Sequence, residues 1–163
     1  MTSMNNEERT WLDSDGRRAD DEFILNWVRA GRRAGYQTDL VVGTDSHLHG
    51  RAFRFITAVC LYTHGHGGVY WYTMSYEPRE QYRGNQQYRM FQEAARSIEL
   101  ANFFTEKANR TPVIHIDASP KEAGEFTSAF SDSLKGYVVA SGYECVLKPN
   151  SWCSSSISDK YTK

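Results

Sequence analysis

The sequence predicts an α/β fold built on a mixed five-stranded sheet flanked by helices. Five runs are rich in β-branched, aromatic or aliphatic residues and predict strands, and other segments carry apolar residues at helical spacing. Their order along the chain is β-β-β-α-β-α-β-α, with an additional N-terminal helix in front. A meander of antiparallel strands followed by two right-handed crossovers produces a mixed sheet in which strand 4 lies beside strand 1.

The N-terminal part of the chain divides at residue 20. Residues 1–20, MTSMNNEERTWLDSDGRRAD, are polar and predict a mobile lead, so that residues 21–163 form the single domain. In DEFILNWVRAGRRAG, Phe23, Ile24 and Trp27 fall on one helical face, and Gly35 is a plausible stop.

Three strands follow that helix. The predicted strands are DLVVGTDS at 39–46, FRFITAVCLYTH at 53–64 and GVYWYTMSYE at 68–77. The turns between them, in LHGRA and GHGG, are short and contain glycine, which favours antiparallel pairing. Strand 2 is therefore expected to run antiparallel to both of its neighbours.

The second half of the chain alternates helices and strands. The longest helix is predicted in YRMFQEAARSIELANFFTEKAN, where Met90, Phe91, Ala94 and Ile98 share a face. The segments after it are a buried strand in TPVIHIDAS, a helix over 123–142, a strand in YECVLKPN and a short terminal helix in SSSISDKYTK.

Length and composition limit the class of protein. A chain of 163 residues with 40% hydrophobic and 24% charged residues is expected to be one globular domain. No run is apolar enough for a membrane span and the first residues do not resemble a signal peptide, so we expect a cytoplasmic protein. Three cysteines without a CxxC pair suggest neither a disulfide framework nor a zinc site, and Cys60 and Cys145, inside strand-like runs, are predicted to be buried thiols. A net charge of -1 argues against a protein that coats nucleic acid by bulk electrostatics.

Strands 1 and 4 each lead into an aspartate. If these strands are parallel neighbours about 4.8 Å apart, then Asp45 and Asp117 emerge side by side at their carboxyl ends. Two close carboxylates repel each other unless a proton or a cation lies between them, and carboxylate oxygens select Mg²⁺ or Mn²⁺. The alternative is that both are ordinary turn aspartates.

A two-metal phosphodiesterase needs roughly four carboxylates. On the long helix, Glu93 lies about a quarter turn from the apolar centre and Glu99 lies nearly opposite it, so Glu93 is the third candidate. Asp159 on the terminal helix is the fourth. The pattern Ser156-x-x-Asp159 equally fits a helix cap, in which Asp159 only receives hydrogen bonds from free amides.

Histidines and basic residues accompany these carboxylates. By strand alternation His47 shares the side of Asp45 and His115 that of Asp117, so both are candidate accessory groups, although hydrogen bonding to a neighbouring carboxylate is the more common role. Five basic residues are candidates for binding nucleic-acid phosphates, with a solvated charged loop and C-terminus as the alternative: Arg79, Arg83, Arg89, Lys148 and Lys160.

Four motifs in the same order resemble the YkuK family of ribonuclease H-like proteins, which are presumed nucleases. They are GTDSHLHG, the spacing of Glu93, Ser97 and Glu99 before Leu-Ala, HIDAS, and KPNSWCSSSISDKYT. The resemblance covers roughly residues 20–163. It implies a ribonuclease H-like fold with the strand order 3-2-1-4-5, and a metal-dependent nuclease centre on Asp45, Glu93, Asp117 and Asp159.

The sequence thus predicts a Mg²⁺- or Mn²⁺-dependent nuclease that hydrolyses RNA, DNA or a hybrid. Two alternatives stay open. One is a non-catalytic ribonuclease H-like module that binds nucleic acid or a protein, since fold alone does not fix function. The other is a metal-assisted hydrolase of a small phosphorylated molecule, which would need a closed pocket.

Overall fold

The structure is a computed structural model that describes residues 8–31, 38–119 and 126–153. Among these residues, Arg79–Tyr82 and Phe126–Phe130 form 3₁₀ helices, each of which precedes an α-helix. The strands and α-helices are β1 (Trp11–Leu12), β2 (Arg18–Ala19), α1 (Asp21–Ala30), β3 (Thr38–His49), β4 (Ala52–Thr63), β5 (Gly67–Pro78), α2 (Gln86–Ala108), β6 (Val113–His115), α3 (Ser131–Ala140) and β7 (Cys145–Val146).

The strands form one mixed sheet in the order β2-β1-β5-β4-β3-β6-β7. The strands β3, β4 and β5 are antiparallel, whereas β6 pairs with β3 in parallel and β7 pairs with β6 in parallel. The five predicted strands keep the expected order and directions relative to one another. The expected total of five strands was wrong, because β1 and β2 extend the sheet beyond β5.

The two additional strands lie in the segment that the sequence predicted as a mobile lead. Trp11 in β1 is fully buried, its ring lies 6.3 Å from that of Phe104, and its Nε1 donates to Asp21 Oδ1 at 2.8 Å. Residues 11–12 and 18–19 therefore belong to the sheet, and the prediction of a mobile lead was wrong for these residues. Strands of two residues are too short to show alternation, which explains why the sequence did not predict them.

Local signals account for the boundaries of the helices. Asp20 caps α1 by accepting from the backbone N of Phe23 at 2.9 Å, and Asn85 caps α2 by accepting from Tyr88 N at 2.9 Å. The helix α2 ends at Ala108 and is followed by Asn109, which takes the left-handed conformation with φ 51°. The predicted terminal helix over 154–163 lies outside the described residues.

The sheet has a different core on each face. On one face Leu40 and Val42 of β3 pack with the apolar residues of α1, α2 and α3. On the other face Val41 packs with Ile56, Cys60 and Cys153. Successive residues of β3 therefore alternate between a helix-covered face and the opposite face. Among the described residues, no helix is both long and apolar enough to cross a membrane.

Candidate active site

Parallel pairing of β3 and β6 brings Asp45 and Asp117 to the same end of the sheet. Val41 pairs with Val113 and Gly43 with His115, and the same register extended by two residues sets Asp45 opposite Asp117. The ladder ends at Gly43 because β6 is only three residues long. Ligands commonly bind where adjacent parallel strands end at their carboxyl edge.

The strand β3 continues beyond the predicted end at residue 46. It runs to His49 and pairs with β4 throughout, so that Asp45 lies opposite Ile56 inside the antiparallel ladder. The expectation that the strand ends at Asp45–Ser46 was wrong, since the turn begins only at Gly50, which has φ +63°. Asp45 is consequently held by rigid backbone, and a turn aspartate is excluded at this position.

The helix α2 contributes Glu93, as its helical phase predicts. Ser46 Oγ donates to Glu93 Oε1 at 2.6 Å, and Nη1 of Arg89 donates to Ser46 Oγ at 2.8 Å and to the Ser46 carbonyl at 3.0 Å. Glu99 lies on the other side of the helix, 58% exposed, with Arg9 at 3.5 Å. Ser46 was not predicted as a site residue, although alternation after Asp45 places it on the helix-covered face.

Burial and two neighbouring carboxylates raise the pKa of Glu93 from 4.5 to about 8. Loss of hydration is the largest cause and the charge of Asp45 comes second, while the Ser46 hydrogen bond and Arg89 lower the value and Asp117 raises it further. Glu93 as a whole residue is half-buried, whereas its carboxyl group lies among protein atoms. The charges of Asp45 and Asp117 thus both favour the protonated form of Glu93.

Asp45 has partners at both of its oxygens. The backbone N of Ser46 donates to Oδ1 at 2.9 Å, and His47 Nε2 lies 2.9 Å from Oδ2. This contact confirms that His47 shares the side of Asp45, on the face opposite the helices. His47 is about one-third exposed and thus lies between Asp45 and solvent.

His115 is buried and held by the chain that follows β7. Burial lowers its pKa to about 4, so the ring is neutral at pH 7. Its Nδ1 accepts a hydrogen bond from Trp152 N at 3.2 Å, which assigns the proton to Nε2, and the Trp152 ring meets it edge-on at 5.1 Å. Both of these side-chain contacts join the His115 ring to Trp152.

Asp117 is paired with a lysine. Lys148 Nζ lies 2.9 Å from Asp117 Oδ1. That oxygen is buried, and although the ion pair is close, it receives no hydrogen bond of ordinary geometry. The charge of Asp117 is thus balanced while one of its oxygens keeps unused acceptor capacity. Lys148 was predicted to contact a nucleic-acid phosphate. In this structure it contacts Asp117, which was predicted to bind a metal ion.

The chemistry of the three carboxylates fits a hard divalent cation, because carboxylate oxygens are the ligands that Mg²⁺ and Mn²⁺ prefer. Asp117 Oδ1, which accepts no hydrogen bond of ordinary geometry from the described residues, would be available to such a cation. Within residues 8–31, 38–119 and 126–153, however, no group of three or more His, Cys, Asp or Glu side chains converges to hold a metal. Glu93 is engaged by Ser46 and Asp117 by Lys148. Asp159 lies outside the described residues, so a fourth ligand stays a prediction.

The predicted basic residues separate into two groups. Arg79 and Arg83 are exposed at the 3₁₀ helix before α2, and their contact with a phosphate stays a prediction. Arg89 and Lys148 instead contact site residues, Ser46 and Asp117 respectively. Lys160 is outside the described residues.

Comparison with known proteins adds one finding. A family model described as ribonuclease H-like matches residues 22–163. No curated protein and no solved structure matches the chain.

Proposed function

The chain belongs to the YkuK family of ribonuclease H-like proteins, and from this premise we propose that it is a metal-dependent nuclease that hydrolyses phosphodiester bonds of RNA, DNA or a hybrid. The observation that carries the proposal is the placement of Asp45 and Asp117 at the same end of two adjacent parallel strands. Asp45 and Asp117 follow adjacent parallel strands, and Glu93 is held against β3 by Ser46.

Mg²⁺ or Mn²⁺ would be held by Asp45, Glu93, Asp117 and the predicted fourth ligand Asp159. Such ions activate water and stabilise the leaving oxygen in phosphodiester hydrolysis. Other residues of the chain have separate roles. Ser46 and Arg89 hold Glu93 in place, and His47 holds Asp45 at Oδ2. Lys148 provides a positive charge beside Asp117, where a substrate phosphate would otherwise be repelled.

The test is cleavage of a panel of labelled single-stranded, duplex and hybrid substrates with Mn²⁺ or Mg²⁺, compared with EDTA. We expect metal-dependent cleavage that Asp45→Asn abolishes without a change in the circular dichroism spectrum. The matched control is Asp132→Asn, because Asp132 is exposed in the first turn of α3. Cleavage retained by Asp45→Asn would overturn the assignment.

A non-catalytic module that binds nucleic acid or a protein is the second candidate. It is favoured by the absence of a converged metal group among the described residues and by the ion pair of Asp117 with Lys148. Calorimetric titration of Mn²⁺ into the wild type, Asp45→Asn and Asp117→Asn separates the two. Saturable binding that both variants lose supports the nuclease, whereas no binding together with no cleavage supports the module.

A further inference from the structure

A cleft of about 540 Å³ opens beside the candidate active site. It lies between the start of β4, the beginning of α2 and the residue that precedes α3. The lining residues that matter here are Phe53, Tyr82, Gln86, Gln87, Arg89 and Phe130. The volume is within the range of about 300–1,000 Å³ that small-molecule sites occupy.

Arg89 connects this cleft to the carboxylates. Its guanidinium lies 4.4 Å from the ring centroid of Phe53, and its Nη1 donates twice to Ser46, the residue that holds Glu93. A planar cation fixed in this way does not have to be ordered when a ligand arrives. Any group bound against Arg89 therefore lies next to the site that would perform hydrolysis.

The other walls of the cleft offer aromatic rings and amides. The Phe53 and Tyr82 rings meet edge-on at 5.7 Å, and Phe130 lines the cleft from the α3 side. Gln86 and Gln87 add side chains that both donate and accept hydrogen bonds. Rings, a guanidinium plane and amides are the groups with which proteins bind an unpaired base.

We propose that this cleft binds one unpaired nucleobase of the substrate, with the adjoining phosphate near Arg89, so that the protein acts on single-stranded or locally unpaired nucleic acid. The inference rests on the proposed function and narrows its substrate class. A base stacked inside a duplex cannot enter a cleft of this kind unless it is first extruded from the helix.

The test is equilibrium binding by fluorescence anisotropy in EDTA, where no hydrolysis occurs. The probes are a labelled 12-nucleotide single strand, the same strand in a duplex, and an abasic sugar–phosphate strand of equal length. We expect the single strand to bind at least about tenfold more tightly than the other two, since stacking of each base contributes substantially. Equal binding of the duplex or of the abasic strand would overturn the proposal.

Two variants locate the binding in the cleft. Phe53→Leu keeps an apolar side chain but removes the ring, and Arg89→Gln removes the cation. Each is expected to weaken single-strand binding by about 5- to 100-fold. The controls are Phe23→Leu and Arg18→Gln, because both residues are exposed and belong to α1 and β2. Wild-type binding by both cleft variants contradicts the inference.

A third variant tests the cleft with a substitution that is not expected to disturb folding. Gln87 is exposed in the first turn of α2, so Gln87→Ala is expected to leave the melting temperature unchanged while weakening single-strand binding several-fold. The experiments distinguish a failure of the cleft proposal from a failure of the nuclease proposal. Cleft-dependent binding without cleavage of any substrate removes only the nuclease, and cleavage insensitive to the cleft variants removes only this inference.

Discussion

Lys148 Nζ lies 2.9 Å from Asp117 Oδ1, so a side chain of the protein itself neutralises one of the two strand aspartates. An ammonium ion beside a carboxylate opposes the approach of another cation to the same oxygen. The Lys148 side chain is 45% exposed, so its ion pair with Asp117 is partly solvated and weak. Moving Lys148 away from Asp117 therefore costs little free energy.

Replacing Lys148 by methionine is therefore expected to strengthen Mn²⁺ binding. The gain should be up to about fivefold in Kd, which corresponds to about 1 kcal/mol for a partly exposed pair. Calorimetry measures it, with Lys107→Met as the control because Lys107 is an exposed lysine at the end of α2. Unchanged or weaker Mn²⁺ binding in Lys148→Met would show that the ammonium does not compete with the metal.

The raised pKa of Glu93 predicts a pH-dependent stability. Because its pKa rises from 4.5 to about 8 on folding, the folded protein binds more protons than the unfolded protein between these values. The stabilisation associated with the protonated Glu93 is complete below pH 4.5 and is lost as the pH rises through 8. Wild-type stability should thus fall between pH 6 and 9 in EDTA, measured as the melting temperature.

The matched variants for this measurement are on the same helix. Glu93→Gln has no carboxyl proton to lose, so its melting temperature should rise relative to the wild type as the pH increases. The expected rise is about 2–4 °C for each kcal/mol of unfolding free energy that the wild type loses. Glu99→Gln should show no such trend, because Glu99 is exposed on the other side of α2. A constant difference between wild type and Glu93→Gln from pH 6 to 9 is incompatible with a raised pKa.

Burial of Trp11 predicts that the N-terminal strands contribute to stability. Trp11→Ala removes a fully buried ring and its hydrogen bond to Asp21, and should lower the free energy of unfolding by about 3–5 kcal/mol. Urea denaturation provides the measurement. Phe23→Ala is the control, since Phe23 is 50% exposed and should cost much less. Equal losses in both variants would argue against a packed β1.

Buried hydroxyl groups join α2 to β3 and β4. Thr44 Oγ1 lies 2.8 Å from Ser97 Oγ and 3.2 Å from Thr57 Oγ1, and all three side chains are buried. Thr44→Val leaves Ser97 without this partner and should cost about 1–3 kcal/mol of unfolding free energy. The double variant with Ser97→Ala should cost less than the sum of the two single variants. Additive losses in urea denaturation would disprove the coupling.

Periodicity predicted much of the fold and part of the site. The antiparallel strands, the long helix and the placement of Glu93 toward the sheet, with Glu99 away from it, agree with the structure, since a period of two or 3.6 residues is a local property. The relative order of the five strands also agrees, but it was implied by the family resemblance and by the handedness of the crossovers. The strands β1 and β2 could not be predicted in this way. Trp11 is buried only because β5, α1 and α2 come together around it.

The sequence by itself determined which residues share a face: Asp45 with His47 on one side of β3, and Glu93 on the sheet side of α2. Only the tertiary structure decided which side chains hydrogen-bond or ion-pair with these carboxylates. Ser46 binds Glu93, and Lys148 neutralises Asp117, through contacts between segments far apart in the chain. Alternation sets the direction of a side chain, whereas its partner depends on the packing distance between elements, which no local pattern encodes.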